Sequence, residues 1–404
     1  MAPRRTFLKQ SFAAAAALSA GRLALAETWQ PAELPAGTID SSSLETIQGK
    51  VPLIKRSYRP PNYETPVEYF NQPYTPNNAF FVRYHLSNIP SVDGEAWRLT
   101  VEGEAAGGKA VYSLADLRRT FEVIELAAVC QCSGNRRGLF QPHVYGVEWG
   151  YGAMGNARWV GVRLRDVLNK VGVNKDALEV VLDGADMGVT EKTPDFQKSI
   201  PIWKALDENT LIAFQMNGAP LPHWNGFPAR LIVPGWTGTY WMKHLTSVKV
   251  VPAPYKGFWM ASAYRIPLGK FPSIDRFTSQ DSAVNTPITE MVVNSLVTNL
   301  KPGQTVPANR MLQIQGVAWD SGAGISEVAV SVDGGREWRP AELLTDLGRY
   351  AWRGFTFAHT PKPGRFEVLV KASNRAGETQ TPSLILNPAG YHHNVVQRLP
   401  LIAA

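Results

Sequence analysis

Two cysteines and two adjacent arginines stand within eight residues of one another in Ala128-Val-Cys-Gln-Cys-Ser-Gly-Asn-Arg-Arg137. Cys130 and Cys132 are two positions apart, so on a strand their thiols face the same side. Four chemistries suit such a pair. Both can be small buried hydrophobes, as free cysteines often are. A disulfide across a single residue would be strained. A nucleophilic thiolate would be favoured by the neighbouring arginines. A soft metal donor needs a thiolate on a loop with cations nearby, which Cys132 offers. Composition alone favours the buried hydrophobes. It also excludes a good deal, because 404 residues with two cysteines cannot form a disulfide scaffold, a four-thiolate zinc site or an ordinary iron–sulfur cluster. No Cys-x-x-Cys-His occurs, so no c-type haem is expected to be attached within this chain.

Cys132-Ser-Gly-Asn-Arg-Arg137 resembles the C-x-G-N-R-R signature of the sulfite oxidase family of molybdenum enzymes. Other matches keep the same order: Phe80-Phe-Val-Arg-Tyr-His85, Trp149, Ala157-Arg-Trp-Val-Gly161, Asn225-Gly-Phe-Pro-Ala-Arg230, Trp241-Met-Lys-His244 and Tyr255-Lys-Gly-Phe258. Gly316-Val-Ala-Trp319, Val332-Asp-Gly-Gly335 and Trp352-Arg353 extend the resemblance to about residue 385. It is closest to the haem-free bacterial periplasmic sulfite dehydrogenases.

The resemblance implies that Cys132 is the metal ligand, on a molybdenum held otherwise by the dithiolene of a pyranopterin (molybdopterin). Cys130 matches no family ligand and is expected to be a buried structural thiol. Arg83, Arg137 and Arg353 are expected to line the sulfite pocket, where guanidinium forks suit an oxyanion. Arg353 would reach it from the second domain. Tyr255 matches the family's active-site tyrosine, His85 is expected to orient Arg83 or touch the pterin, and Trp149 to wall the pocket. The pterin is expected to meet Phe81, Val82, Arg83, Tyr84 and His85 on one segment. Asp186, Asn225 and Arg230 come next, then Trp241, Met242 and Lys243, with Arg230 and Lys243 as phosphate contacts and Asp186 as an acceptor. Asn225 and Tyr84 depart from the animal-type members, which carry histidine and asparagine there.

Elements must bring these residues together. Residues 27–75, rich in Pro, Ser and Asn, read as an extended N-terminal arm. Residues 76–284 mix short strands (97–101, 178–182, 230–233 and 247–251) with short helices (114–119, 164–171 and 201–206) and lack regular βαβ alternation. Residues 285–404 alternate apolar and polar positions at 311–319, 327–332, 352–357 and 366–372, with Asp333-Gly-Gly335 as a hairpin turn. The fold class is therefore α+β: a sulfite-oxidase-like molybdopterin-binding domain, then an all-β immunoglobulin-like sandwich. By resemblance the sandwich mediates homodimerisation.

Residues 1–26 read as an export signal, with Arg4-Arg5-Thr-Phe-Leu-Lys9 resembling a twin-arginine motif before a short alanine-rich run and an A-x-A-like site. That places the mature protein in the periplasm, and the run is too short and interrupted for a membrane anchor. The signal holds Arg4, Arg5, Lys9 and Arg22 and no acidic residue, so the net charge falls from +7 to +3 on its removal. A mature charge of that size argues against a nucleic-acid partner and leaves room for attraction to small anions. No haem-binding domain is expected before the molybdenum domain, so electrons are expected to pass to a soluble c-type cytochrome. Sulfite oxidation is the leading expectation. The alternatives are the molybdenum subunit of a sulfane-sulfur dehydrogenase, a periplasmic methionine sulfoxide reductase (disfavoured by the sandwich), and a non-enzymatic β-sandwich recognition protein.

Overall fold

Two long strands, Val123–Gln131 and Met154–Arg163, pair antiparallel in unbroken register from Val123 opposite Val162 to Gln131 opposite Met154. The computed structural model describes residues 28–29, 42–268 and 280–404, so the expected export signal lies outside the described residues. Leu211–Met216 joins the far side of Met154–Arg163 and itself pairs with Arg230–Ile232 and Ala219–Pro220. A second sheet runs in the order Lys198–Pro201, Glu179–Gly184, Leu245–Val251, Leu99–Glu102, Ala110–Tyr112, with the pairing of Leu245–Val251 and Leu99–Glu102 parallel. One apolar core joins both sheets, including Trp97, Trp159, Ile212, Leu231 and Val248.

The α-helices among the described residues are short, and three of the four fall where periodicity places them, Phe258–Ala261 being the exception. Leu114–Thr120 opens with a capping box in which Ser113 and Asp116 satisfy each other's backbone N–H, and Leu164–Val171 buries Leu164, Val167 and Leu168. Ile202–Ala205 is a single turn.

The segment before Phe80 differs from the extended arm expected of it. Ser42–Glu45, Leu53–Ser57 and Asn62–Glu64 form successive antiparallel strands that end on Val82–Arg83. Leu53, Tyr63, Val82 and Tyr84 pack into a small core of their own, so these strands hold the segment carrying Arg83 and His85.

Past Asn285 the chain forms a sandwich. One sheet runs Asn294–Val297, Leu312–Trp319, Arg353–His359, Glu342–Leu343. The other runs Thr305–Val306, Gln397–Ala403, Gly364–Asn374, Ile325–Ser331, Arg339–Pro340. Val297, Ile314, Val328, Phe355, Val368 and Leu399 fill the space between them. Gly334 and Gly335 at φ 81° and 92° make the hairpin turn that Asp333-Gly-Gly335 predicts.

Candidate active site

Alternation along one strand decides which residues meet. Val82 and Tyr84 turn into the small core under the N-terminal strands, while Phe81, Arg83 and His85 line a cavity. Its other walls come from the ends of the two sheets. Cys130 and Cys132 stand where Val123–Gln131 runs out, and the Cys132 N–H is fixed to the Ala153 carbonyl at 2.9 Å. Asp186, Asn225, Arg230, Trp241, Met242 and Lys243 complete the wall with Ser133, Phe196, Thr239 and Tyr264. Of the residues expected to hold a cofactor, all but Val82 and Tyr84 therefore meet at one cavity.

The side chains interlock. Arg83 Nη1 donates to Asn62 Oδ1 at 3.2 Å and Nη2 to the Tyr264 hydroxyl at 3.2 Å. The Tyr264 hydroxyl also bonds His85 Nε2, and the His85 ring lies flat on Phe196 at 3.5 Å. Lys243 Nζ donates to the Arg83 carbonyl at 2.6 Å. Arg230 donates to the carbonyls of Asn225 and Trp241 at 2.9 and 3.0 Å, and Nη2 lies 3.9 Å from Cys130 Sγ. The Asn225 amide is committed on both sides, accepting from Lys50 Nζ at 2.6 Å and donating to the Phe81 carbonyl at 3.1 Å.

Burial sets the charges. Desolvation pushes the Cys130 thiol up to about 11, despite Arg230 beside it, so that thiol stays protonated at neutral pH. Burial, with Arg83, Lys243 and Lys198 nearby, holds His85 well below the ordinary histidine range and leaves the imidazole neutral. Lys243 is pushed down by burial and Asp186 up, while each pulls the other back toward the ion pair. Arg83 and Arg230 keep their guanidinium charge regardless.

These groups fit a bound anionic cofactor. Arg83, Arg230 and Lys243 face the cavity with Asp186 as the one carboxylate among the described lining residues. Buried cations in such excess are costly without a counter-charge. Ser133 Oγ, Thr239 Oγ1 and Arg230 Nε are buried at its wall without a hydrogen-bond partner, so donors stand ready for one. Among the described residues no three His, Cys, Asp or Glu side chains gather to hold a metal. A metal beside Cys132 would bring its remaining donors with it, as a pterin dithiolene does.

Six expected site residues stand outside the cavity lining. The Tyr255 hydroxyl donates to Gln197 Oε1 at 2.6 Å and does not line the cavity; Tyr264, nine residues on, does. Arg353 pairs with Asp346 at 2.7 Å at the start of a sandwich strand, so its charge is already matched within the second domain. Trp149 is fully buried in the core behind the Cys132 loop, with its carbonyl taken by the Gly138 N–H. Arg137 donates to the Ala389 and Val147 carbonyls at 2.9 and 3.1 Å and lies over the Tyr391 ring, one ring removed from Tyr264. Val82 and Tyr84 serve the cavity from behind, with Tyr84 bonded to His244 at 2.7 Å and its ring beneath Lys243.

Sequence reasoning missed Tyr264, Thr239, Ser133 and Phe196 as wall residues, and Cys130 lines the cavity as a protonated thiol. Of these, Cys130 carried a signal: two-residue spacing put it on the Cys132 side of the strand.

Residues 85–259 match the family model of an oxidoreductase molybdopterin binding domain, and residues 285–403 that of a Mo-co oxidoreductase dimerisation domain. The chain is 38% identical over 371 residues to the mitochondrial sulfite oxidase of Macaca fascicularis, covering 87% of this chain. It spans 66% of that relative's length, just under two thirds. It is 35% identical to the sulfite oxidase of Gallus gallus, over 81% of this chain and 72% of the relative. Among solved structures, the sulfane dehydrogenase SoxCD from Paracoccus pantotrophus superposes with a TM-score of 0.73 over 88% of this chain and 87% of that one. At 23% identity that likeness is one of fold.

Proposed function

The chain belongs to the sulfite oxidase family of molybdopterin-binding oxidoreductases, and from that premise we propose that it is a periplasmic sulfite dehydrogenase. Sulfite and water yield sulfate, two protons and two electrons, and the electrons leave one at a time for an external c-type cytochrome. One observation carries the reading: Arg83, Arg230 and Lys243 converge with Cys132 on a buried cavity that holds a single carboxylate among its described lining residues.

Cys132 would hold the molybdenum, with Arg230, Lys243, Ser133 and Thr239 on the pterin's phosphate and Asp186 on its ring. Bound there, the molybdenum–pterin group supplies the two-electron oxidation and the oxygen exchange with water. Arg83 offers a fixed charged fork to the entering oxyanion, and the neutral His85 ring keeps its orientation through Tyr264. Phe196 and Trp259 pack against His85 and exclude water from that side. Identities of 35–38% to sulfite oxidases favour sulfite over a sulfane substrate. Arg4-Arg5-Thr-Phe-Leu-Lys9 supports periplasmic export. The match of residues 285–403 to a dimerisation domain supports a homodimer.

Purified chain is expected to contain molybdenum and to reduce cytochrome c on addition of sulfite. Activity that appears only with an added haem subunit would transfer the assignment to a sulfane-sulfur dehydrogenase. Sedimentation of the holoenzyme checks the dimer, and fractionation of expressing cells checks the compartment.

A further inference from the structure

A turn at residues 47–50 reaches the cavity wall from outside the matched domain. The Lys50 N–H closes it on the Ile47 carbonyl at 2.9 Å, and Gly49 at φ 76° supplies the left-handed residue it requires. The turn lies between Ser42–Glu45 and Leu53–Ser57, well before residues 85–259, which match the molybdopterin-binding family model. Two contacts carry it to neighbouring wall residues. The Trp224 indole N–H donates to the Gln48 carbonyl at 2.9 Å, and Lys50 Nζ donates to Asn225 Oδ1 at 2.6 Å. Trp224 and Asn225 both line the cavity.

The buried ammonium has three donors and no acceptor. It spends them on the Asn77 and Phe80 carbonyls, at 2.6 and 2.9 Å, and on the Asn225 amide oxygen. The amide then has one orientation. Its oxygen faces the ammonium, and its nitrogen donates to the Phe81 carbonyl at 3.1 Å. Nδ2 carries two hydrogens and Phe81 takes one, so the other is left for the cavity that Asn225 lines. Arg230 stands beside it, with Nη1 on the Asn225 carbonyl at 2.9 Å. One side chain thus ties the wall segment of Phe80 and Phe81 to that of Trp224 and Asn225. All three acceptors of the ammonium are neutral oxygens, so none of them offsets the buried charge.

We propose that Lys50 is a positioning residue for the phosphate end of the cofactor. It fixes the Asn225 amide so that an N–H, and not a carbonyl oxygen, meets the phosphate, and through the Asn225 carbonyl it steadies Arg230. The phosphate in turn supplies the negative charge that the ammonium lacks among its own partners. The proposal rests on the molybdenum–pterin reading of the cavity and adds to it a residue from the N-terminal strands.

Holoenzyme carrying Lys50→Met, Asn225→Ala or both tests this by the rate at which the cofactor leaves the folded protein. Released pterin is read by its fluorescence and retained molybdenum by elemental analysis after gel filtration. A calorimetric transition above the assay temperature shows that each variant is folded. Partners that hold a binding residue from behind are worth a factor of about ten or more in affinity for the bound group. Each single variant is therefore expected to release pterin about tenfold faster than wild type. The double variant is expected to release it no faster than Asn225→Ala alone, because Lys50 acts through Asn225. Lys50→Gln keeps an N–H donor without the charge and is expected to fall between wild type and Lys50→Met; it serves as the test where Lys50→Met does not fold. Release at the wild-type rate in Lys50→Met, or in Lys50→Gln where that variant stands in, would overturn the proposal. So would effects that multiply in the double variant, since Lys50 would then stabilise the fold apart from Asn225. Wild-type protein purified without molybdenum or pterin would defeat the cofactor reading and the proposal with it, a result seen before any variant is compared.

Discussion

Two thiols of one chemical type face one cavity, and their surroundings separate their roles. Cys130 ends a strand deep in the core, where burial holds its proton to about 11. Cys132 sits one step beyond the strand, at the head of a loop with Ser133 and the paired arginines. Cys132→Ser is therefore expected to lose at least about a hundredfold in sulfite turnover, since a ligand lost should cost no less than its supporting shell. Pterin should be retained, because Arg230 and Lys243 are untouched; fluorescence of released pterin checks this. Cys130→Ala removes a neutral thiol and should leave turnover within about threefold. If instead Cys130→Ala empties the metal and Cys132→Ser does not, the two roles are reversed. The tyrosines divide in the same way. The Tyr255 hydroxyl is spent on Gln197, so Tyr255→Phe should change the KM for sulfite less than Tyr264→Phe does, measured side by side.

The short helices and the sandwich strands were legible where they carry their own period: Leu164–Val171 buries one helical face, and residues 312–316 and 370–374 alternate. The strands that carry the site were not. Met154–Arg163 buries Met154, Gly155, Asn156 and Ala157 in succession, so no alternation shows where both faces are covered. The N-terminal strands were hidden by their brevity, two to five residues each, and by the Pro-rich sequence around them. They nevertheless act on the site, through Asn62 on Arg83 and through Lys50, between Ser42–Glu45 and Leu53–Ser57, on Asn225. Lys50 buries its ammonium against the carbonyls of Asn77 and Phe80 and the amide oxygen of Asn225, and burial holds its pKa down to about 7, against the ordinary 10.5. Between those values the unfolded chain keeps a proton that the folded chain gives up, so stability rises with pH through this window. Below about 7 both states are protonated and the penalty is complete. Relative to Lys50→Met, which cannot titrate, the wild type should gain about 1–2 kcal/mol between pH 7 and about pH 8.5. Urea denaturation at the two pH values measures it, and parallel behaviour of the two proteins would remove Lys50 from the account.

At the scale of the whole molecule, the paired arginines of the cysteine loop bind the two domains together. By resemblance the sequence puts Arg137 in the oxyanion pocket, and it does not show the direction either side chain takes. Arg136, at φ 69°, turns away from the cavity and buries its guanidinium against Asn294 Oδ1 at 2.5 Å and the Ser295 carbonyl at 2.7 Å, on the first strand of the sandwich. Tyr151 and Trp319 close over it at 4.8 and 5.7 Å, and Trp319 donates in turn to Gln131, the residue before Cys132. Val129 donates to the Tyr350 carbonyl at 2.9 Å, so the strand that delivers the thiols is also stitched to the second domain. The loop that presents Cys132 is thus held from the side opposite the cavity, and a change in domain seating would move the thiol. Arg136→Met fills most of the volume but leaves the Ser295 carbonyl without its partner and Asn294 dependent on Gln380, 3.3 Å away. The cost should be about 2–4 kcal/mol, in the range for breaking a buried, charged hydrogen-bonded contact. Arg136→Lys should recover less than half of it, since one ammonium cannot reproduce a two-point fork. Calorimetry of the holoenzyme should then resolve two transitions where the wild type shows one, with sulfite turnover lost at the first. A single transition at the wild-type midpoint in Arg136→Met would show that the domains are coupled by other contacts and that Arg136 only fills space.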